Sequence, residues 1–539
     1  MKQYEMVELS FNKKTTLDTE VTIALEADIT RGDEHVTVKG FYAGNDTFKI
    51  RFLPMQSGTY HYSVRGEIVA EGSLEIQPAE EGKHGILQSE GTHVKFTDGT
   101  YTTLFGTTVY ALAHQSKELI AQTLQTLKKS PFNKIRLCMF PKHYQYNHNE
   151  PEYYPFFTLP GKTLENVSRK NGSLSMVTEP LWDVKRPDPK FWDAFEEILL
   201  QLGNMGITVD LILFHPYDRW GFSILNRQES LIYLDYVMRR LSSFPNLMWS
   251  IANEYDLVHG KEMEDWNAFE EFIAKNDPYH HMLSNHNCFV LYDYARPNIT
   301  HVSVQTRDPS RVQTLQMKYN KPVFIDECAY EGNLEETFGS LTGQEMSDRF
   351  WKITVTGGYA THGETFVDYD SDEPDEEIVF WAKGGKLKGE SPARIAYLKE
   401  FVESLPGPIQ PYAGSGFAPL MYMDRDQLQE MAKVLPSEYA VTVLAVSEMG
   451  EEERLYHLTT EGEYNGHVGE QVYIRYLGRD IHGRIQIDLP MDKKYKIEAI
   501  DTWNMTRQVI ATEQRGTCKI RIPEKPWMAV VATEEVVNS

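Results

Sequence analysis

The sequence predicts a mixed α/β fold, in which a central (β/α)8 TIM barrel is flanked by an N-terminal and a C-terminal β-sandwich. Polarity alternates in period two up to residue 82, gives way to short apolar strands and longer amphipathic helices up to residue 408, and alternates again afterwards. A chain of 539 residues also exceeds what one hydrophobic core usually supports. We therefore predict domains at 1–82, 83–408 and 409–539.

The first domain is predicted to be a small immunoglobulin-like β-sandwich. Its alternating segments include "VTIALEADI", "HVTVKGFYA", "TFKIRFLP" and "TYHYSVRGEI", and the turn signals "RGD", "GND" and "QSG" separate them. The segment "PAEEGKHG" then indicates a linker to the next domain.

The second domain contains eight candidate strands. In chain order they are "LFGTTVYALA", "NKIRLCMF", "ITVDLILFHP", "LMWSIANE", "HMLSNHN", "THVSVQT", "PVFIDECA" and "GGYATHGET". Helical patterns such as "KELIAQTLQTLKK" and "ESLIYLDYVMRRLSSF" separate most of them. Eight repeats of strand and helix are the number found in a (β/α)8 barrel, whose parallel strands are apolar on both faces.

The third domain is predicted to be a second β-sandwich. Its candidate strands are "YAVTVLAV", "QVYIRYL", "IQIDL", "YKIEAID" and "CKIRI", after the segment "FAPLMYMD". Before it, the acidic run 368–377 follows the eighth strand and is interpreted as a solvated loop, with a calcium role as the alternative.

Composition narrows the function classes. With 54 basic and 78 acidic residues the net charge is −24, which argues against nucleic acid and anionic membrane surfaces as partners. The four cysteines form no C-x-x-C pair, so neither a zinc site nor a disulfide framework is indicated. The first residues lack the apolar core of a signal peptide, which predicts a cytoplasmic protein.

Two of the predicted barrel strands end in a glutamate. Glu254 ends the fourth strand in "LMWSIANEYD", and Glu327 ends the seventh in "VFIDECAY". The carboxyl ends of the strands of such a barrel meet at its open mouth, so the two carboxylates should face each other there. Cleavage of a glycosidic bond needs such a pair, one protonated and one ionised.

An Asn-Glu pair after strand four, with a Glu after strand seven, resembles the clan A superfamily of retaining glycoside hydrolases. This resemblance implies that Glu254 is the acid/base and Glu327 the nucleophile. It also implies that Asn253 donates to the sugar 2-hydroxyl and that Arg136 keeps the nucleophile ionised. The domain order, with "HGETF", "FWAKGGKLKGESPARIAYL" and "IDTWNM", resembles bacterial clan A relatives that include apiosidase-like enzymes.

Two positions depart from that resemblance. Many clan A enzymes have a Tyr at strand six and a Trp at strand eight, where this chain has Gln305 and "HGET", which contains Glu364. We interpret Gln305 as a substitute donor and Trp381 as the sugar platform. Imidazoles at strand ends also suit sugar hydroxyls. The predicted substrate-binding residues are Asn253, Arg136, His114, His215, His286, Gln305, Glu364 and Trp381, with His362 as a further candidate.

The sequence thus predicts a retaining glycoside hydrolase without metal or cofactor, which releases terminal sugars from oligosaccharides or plant-wall glycans. A catalytically inactive carbohydrate-binding protein is one alternative, although such a barrel should have lost one of the two carboxylates. A transglycosidase using the same residues is another, and no sequence feature separates it from a hydrolase. A metal-dependent hydrolase is disfavoured, because strand one lacks a His-x-His pair and strand four offers neither Lys nor Cys.

Overall fold

The computed structural model of the chain describes residues 1–16, 21–166, 169–170, 173–174, 176–372, 377–412, 420, 423–450, 453–454 and 464–535. In its N-terminal region two antiparallel sheets enclose a core of their own. One sheet comprises Val7–Asn12, Phe41–Tyr42 and Thr47–Phe52. The other comprises Leu25–Arg31, Glu34–Lys39, Gly58–Gly66 and Ala70–Ile76. Alternation of buried and exposed residues along these strands explains the period-two pattern of the sequence.

The centre of the molecule is a nearly closed barrel of eight parallel strands, which confirms the predicted fold class. In chain order the strands are Phe105–Thr108, Lys134–Cys138, Thr208–Phe214, Leu247–Ala252, Leu283–Ser284, Val302–Gln305, Val323–Glu327 and Tyr359–His362. Hydrogen bonds connect them in sequence from the first to the fifth and from the sixth to the eighth, and the eighth pairs with the first. The opening therefore lies between the fifth and sixth strands, which are the two ends of the hydrogen-bonded order.

Helices cover the outside of this barrel. They are Lys117–Lys129, Pro189–Asn204, Arg227–Leu241, Met263–Asn276, Arg311–Tyr319, Gly343–Val355, Phe380–Lys383 and Ser391–Glu403. Short 3-10 turns lie at Leu112–His114, Leu164–Asn166, Tyr255–Leu257 and Thr337–Gly339. Several helices begin at capping residues, as where the Ser116 hydroxyl accepts from the Leu119 N–H. Within the described residues, no helix combines the length and apolarity needed to cross a membrane.

Several short strand pairs lie outside the barrel sheet. They are Leu87–Glu90 with His93–Phe96, Phe156–Thr158 with Trp182–Pro187, Arg169–Lys170 with Ser173–Leu174, and Glu331–Gly332 with Glu364–Thr365. The first of these pairs packs Leu87 and Val94 against Met248 and Phe324, residues of the fourth and seventh barrel strands. This packing fills the amino-terminal end of the barrel, so the opposite end is the one left for chemistry.

The N-terminal region is joined to the barrel by a buried ionic cluster. Arg51 lies on the strand Thr47–Phe52, and its Nη2 donates to Glu196 Oε2 at 2.9 Å. Arg240 donates from its Nε to Glu196 Oε1 at 2.6 Å. Both guanidinium groups also lie over the Phe41 ring. Glu196 is thus shared by two arginines where the two regions meet, and each arginine has a second carboxylate partner, Glu8 for Arg51 and Asp193 for Arg240.

The C-terminal region is rich in β-structure, as predicted. Its larger sheet contains Gln410–Pro411, Tyr464–Val468, Val472–Tyr476, Met528–Glu534, Tyr495–Asp501 and Thr506–Gln514, and Arg484–Asp488 pairs separately with Thr517–Arg521. Both contribute to a core distinct from that of the barrel.

One predicted strand of this region is wrong. The segment "YAVTVLAV" (439–446) lies in the helix Ser437–Glu448, which packs against the helix Arg425–Val434. Val443 and Val446, three residues apart, are buried against Leu428. A nearly continuous apolar run fits a strand or a helix equally, and here packing against a neighbouring helix decides the outcome. Residues 413–419 and 421–422 near "FAPLMYMD", and 373–376 of the acidic run, lie outside the described residues.

Candidate active site

Glu254 follows the fourth barrel strand and lies in a left-handed backbone conformation, with φ of 49°. Such a conformation is uncommon for a residue with a side chain and costs about 1 kcal/mol or more. The Tyr217 hydroxyl donates to Glu254 Oε2, and the Glu254 N–H donates to His286 Nδ1 at 3.4 Å. These contacts hold a carboxyl that is only 4% exposed at the mouth of the barrel.

The surroundings of Glu254 favour its protonated form. Burial, and then the negative charge of the neighbouring Glu327, raise the pKa of Glu254 to about 7. The hydrogen bond from Tyr217 and the charge of Lys142 act in the opposite direction but are weaker. A carboxyl group with a pKa near neutrality can give up a proton and take it back during a reaction.

Glu327 ends the seventh barrel strand and has different neighbours. Tyr110, which follows the first strand, donates its hydroxyl proton to Glu327 Oε1 at 2.7 Å. Arg136 Nη1 lies 3.7 Å from the same oxygen. The two glutamates therefore have different partners: Glu254 receives a phenol and lies near a second carboxyl group, whereas Glu327 receives a phenol and lies near a guanidinium.

Arg136 links several parts of the site. It is fully buried on the second strand, and its Nε donates to Asp210 Oδ2 at 3.1 Å. Its Nη1 donates to Asn253 Oδ1 at 2.9 Å and to the Tyr110 hydroxyl at 3.3 Å. The Asn253 oxygen is thereby occupied, while its buried Nδ2 has no hydrogen-bond partner among the described residues. That amide is available to donate to a ligand hydroxyl.

Lys142 introduces a second cation beside the carboxylates. Its ammonium lies 4.0 Å from the ring centroid of Tyr110, 4.2 Å from that of Tyr217 and 4.8 Å from that of Trp381. Burial lowers the pKa of Lys142, and the charges of Glu327 and Glu254 partly oppose that effect. The ammonium thus sits in an aromatic cage between the two acidic groups, where cation–π attraction replaces part of its hydration.

Trp381 forms part of the wall around this cage. Its ring meets Tyr110 edge-on at 6.0 Å and Tyr144 at 5.4 Å, and it lies tilted against Tyr330 at 5.6 Å. The structure thus brings Trp381, from the long eighth loop, together with Asn253, Arg136 and His286 around the two glutamates. Their assignment as substrate contacts stays a prediction.

The remaining predicted contacts differ in their distance from the glutamates: Gln305 is the register partner of Glu327, and the His215 ring lies 6.5 Å from that of Tyr217. The His114 ring stacks on Phe191 at 5.8 Å, and His215 Nε2 lies 3.1 Å from the Phe140 carbonyl. Burial lowers the pKa of both imidazoles, to about 4 and about 3. The Gln305 N–H donates to Asn287 Oδ1 at 3.4 Å, and its buried side-chain oxygen has no partner among the described residues.

Glu364 is buried beside His362 and Glu331 rather than beside Glu254 and Glu327. Its Oε2 accepts from the Lys388 N–H at 2.6 Å, and its Oε1 lies 3.6 Å from His362 Nε2. The residue is 1% exposed. Its predicted role in substrate binding stays a prediction, and its surroundings are taken up again below.

Sequence reasoning missed three residues of the site, namely Tyr110, Tyr217 and Lys142. The strand-end rule could have found the first two, because Tyr110 ends "LFGTTVY" and Tyr217 follows "LILFHP". Lys142, in "MFPKHY", carries no signal of its own, since its position between aromatic rings from three loops is a tertiary feature. A phenol donor to Glu327 comes from Tyr110, after strand one, whereas the sequence predicts Gln305 at strand six as the substitute donor.

Comparison with known protein families gives matches in all three parts of the chain. Residues 88–407 match the family described as "Apiosidase-like, catalytic domain". The chain belongs to this family. Residues 1–67 and 462–533 match two domains of unknown function, DUF5060 and DUF5605. None of the curated proteins compared with the chain matches it.

Solved structures agree with this assignment. A protein from Bacteroides vulgatus ATCC 8482 with a provisional glycoside hydrolase assignment is 31% identical over 99% of both chains, with a TM-score of 0.82. A glycoside hydrolase family 5 protein from the same organism is 14% identical, covers 85% of this chain and 94% of its own, and has a TM-score of 0.58. The second likeness concerns the fold alone. Family and fold together support a glycosidase activity.

Proposed function

We propose that the protein is a retaining glycosidase that works by double displacement, with Glu254 as acid/base and Glu327 as nucleophile. The observation that supports this most directly is the difference between their surroundings. Burial and a neighbouring negative charge raise the pKa of Glu254, whereas Glu327 is contacted by the Arg136 guanidinium and the Tyr110 hydroxyl. Glycoside cleavage with retention needs one protonated and one ionised carboxyl.

In the first step Glu327 attacks the anomeric carbon while Glu254 gives its proton to the departing glycosidic oxygen. The bond to the leaving group breaks and a glycosyl ester of Glu327 forms. As Glu327 loses its charge, the pKa of Glu254 falls, because that charge is one of the two causes that raise it. Glu254 therefore becomes a stronger acid as the glycosidic bond breaks.

In the second step the ionised Glu254 takes a proton from water, which attacks the anomeric carbon and releases Glu327. Two inversions at one carbon give net retention. The free Nδ2 of Asn253 is placed to donate to the sugar 2-hydroxyl, and its oxygen is fixed by Arg136. Such a hydrogen bond gains strength as charge develops on the ring.

The walls of the site support a substrate with a terminal sugar. Tyr110, Tyr144, Tyr217 and Trp381 surround Lys142, so the space beside the carboxylates is bounded by large side chains from several loops. A bounded pocket suits an exposed sugar at a chain end better than the interior of a polymer. We propose glycosides at the ends of oligosaccharides or plant-wall glycans as the substrate class.

The test is a mutant pair with an added nucleophile. Once an aryl glycoside substrate has been found, azide added to Glu254→Ala should restore turnover and give a glycosyl azide of the substrate's configuration. Azide added to Glu327→Ala should give the inverted product, if any. Glu336→Ala, which removes another carboxylate near Tyr144, is the matched control and should keep wild-type turnover without azide.

Each result has a defined consequence. Opposite stereochemistry would exchange the two roles. Full activity in either mutant would remove that glutamate from the mechanism, and saturable sugar binding without turnover in the wild type would support the binding-protein alternative. Transfer of the sugar to an added alcohol in preference to water would support a transglycosidase.

A further inference from the structure

A second cluster of ligand-type side chains lies beside the barrel mouth. Glu331, His362 and Glu364 each direct one potential ligand atom to a common point, with all three atoms within 4.8 Å of one another. All three residues are at most 2% exposed. Glu331 follows the seventh barrel strand, His362 ends the eighth, and Glu364 lies two residues further along.

Two of the three potential ligand atoms are unpartnered. Among the described residues, neither His362 Nε2 nor Glu364 Oε1 has a hydrogen-bond partner, and the two atoms lie 3.6 Å apart. The other imidazole nitrogen, Nδ1, lies 3.0 Å from the Thr107 hydroxyl, and the ring stacks on Phe132 at 4.7 Å. These contacts fix the orientation of the ring, so that Nε2 is held towards the two carboxyl groups.

Within the described residues, neither carboxyl group is paired with a lysine or an arginine. Glu331 accepts hydrogen bonds from the Glu390 N–H at 2.7 Å and from the Ser391 N–H and hydroxyl. Glu364 accepts from the Lys388 N–H. Within the described part of the chain, no Lys or Arg side chain lies within ion-pair distance of either carboxyl group. Neutral donors do not compensate two buried negative charges, which require a cation or protonation.

Gly389 keeps the space between the carboxyl groups free. A Cβ atom at this position would lie 2.5 Å from Glu331 Oε2 and 2.7 Å from Glu364 Oε1. Both distances are shorter than ordinary Cβ contacts, so a side chain at this position would have to displace the two carboxyl groups. The chain thus leaves room next to two carboxylate oxygens and an imidazole nitrogen instead of filling it.

We propose that Glu331, His362 and Glu364 form a structural site for one divalent transition-metal ion of the Zn²⁺ or Mn²⁺ type. One imidazole nitrogen and two carboxylate oxygens suit such ions better than Ca²⁺, which prefers oxygen ligands alone. The hydrogen bonds from Thr107, Lys388, Glu390 and Ser391 are the outer contacts that orient metal ligands.

The ion would tie together three segments that support the active site. These are the loops after the seventh and eighth strands and the segment that leads into the helix Ser391–Glu403. Tyr330, next to Glu331, lies 3.5 Å from the Tyr110 hydroxyl and packs on Trp381. The ion contributes stability and order to this wall and takes no part in bond cleavage, so the proposal does not depend on the proposed glycosidase mechanism.

The test uses the full-length protein, stripped of metal by a chelator and then supplied with Zn²⁺, Mn²⁺ or Ca²⁺ singly. Metal content per chain and the melting temperature are measured after removal of excess ion. We expect about one Zn²⁺ or Mn²⁺ per chain and a rise in melting temperature of several degrees, because an ion that binds only the folded state stabilises it. Ca²⁺ should give neither.

Three variants locate the site. Glu364→Gln should lose the ion and the thermal shift. Gly389→Ala keeps the three ligand residues but places a methyl group 2.5 Å from Glu331 Oε2, which displaces the carboxyl groups, so this second variant should also lose the ion. Asp348→Asn is the control, since this equally buried carboxylate pairs with Lys352 at 2.8 Å and should retain the ion.

Two results would overturn the proposal. One is a wild-type protein that holds no ion and melts at the same temperature with every metal, which would indicate a direct pair between a protonated His362 and Glu364. The other is full metal content in Glu364→Gln or in Gly389→Ala, which would place the ion elsewhere.

Discussion

Two buried glutamates in this molecule have the same chemistry and opposite behaviour. Glu196, between the N-terminal region and the barrel, is 5% exposed, and Glu254, at the barrel mouth, is 4% exposed. Burial raises the pKa of both carboxyl groups. Yet Arg240 and Arg51 bring the pKa of Glu196 down to about 2, whereas that of Glu254 rises to about 7.

The difference lies in where the arginines are directed. Glu196 is contacted by two guanidinium groups. At the mouth, Arg136 is directed to Glu327, Asn253 and Asp210, and Glu254 receives a phenol and a neighbouring carboxylate instead. A buried carboxyl with its cations stabilises the fold, and one deprived of them is available for proton transfer. Burial alone therefore does not identify a catalytic acid; its partners do.

The largest expected effect is on stability and concerns Glu196. Glu196→Gln should lower the free energy of unfolding by about 3 kcal/mol, because Arg51 and Arg240 would lose the buried carboxylate they share and keep only the more exposed Glu8 and Asp193 as partners. Urea denaturation at pH 7 measures this. Asp193→Asn is the matched control: Asp193 contacts the same Arg240 at 2.8 Å but is 63% exposed, so the loss should be at most about 1 kcal/mol.

The pH dependence of that difference has a definite sign. Since folding lowers the pKa of Glu196 to about 2, its contribution is present above the unfolded pKa and is lost as the pH falls towards 2. The gap between wild type and Glu196→Gln should therefore narrow between about pH 4 and pH 2. A gap that is constant with pH would contradict the assignment of the effect to this carboxylate.

The next effect concerns catalysis by the second glutamate. If Glu254 is the acid and its pKa is about 7, kcat/KM should fall about tenfold per pH unit above that value. This fall is the alkaline limb of the pH–rate profile. It is measured with a glycoside whose leaving group does not titrate between pH 5 and 9. In azide-rescued Glu254→Ala the limb should be absent. A wild-type rate that stays flat up to pH 9 would remove Glu254 as the proton donor.

A smaller effect has the opposite sign to that of Glu196→Gln. Folding raises the pKa of Glu254, so the native protein loses stability as the pH rises from the unfolded pKa through about 7. Glu254→Gln keeps a neutral group in place, and at pH 8 it should be about 2 kcal/mol more stable than the wild type. At pH 4 the two proteins should unfold alike. Equal stability at both pH values would mean that the wild-type carboxyl is not destabilised by its site.

The sequence pattern correctly predicted those strands whose residues form one continuous apolar run. The strands Leu247–Ala252 and Val323–Glu327 are buried throughout, and apolar runs ended by a glutamate predicted both. Their carboxyl ends meet because a parallel barrel leaves no other arrangement. The helix Ser437–Glu448 was predicted as a strand, because its apolar run fits either structure and the choice depends on the neighbouring helix.

The partners of the catalytic pair required the structure. The contact of Tyr110 with Glu327 joins residues 217 positions apart, and that of Tyr217 with Glu254 joins two different loops. Lys142 is defined by the rings around it, which come from the first, third and eighth loops. Such contacts depend on the tertiary arrangement of the loops around the barrel mouth. The spacing of residues in the sequence does not predict that arrangement.

The smallest expected effect concerns Tyr217, whose hydroxyl donates to the Glu254 carboxylate. This hydrogen bond favours the charged form and lowers the pKa of Glu254. Tyr217→Phe removes the donor and leaves the ring under Lys142, so the alkaline limb of the pH–rate profile should move upward by about one pH unit or less. Tyr144→Phe is the control, because the Tyr144 ring contacts Lys142 and Tyr217. Its limb should stay in place. If the limb of Tyr217→Phe moved downward instead, the phenol would be donating to a neutral carboxyl, and the charged form of Glu254 would have to be stabilised by Lys142.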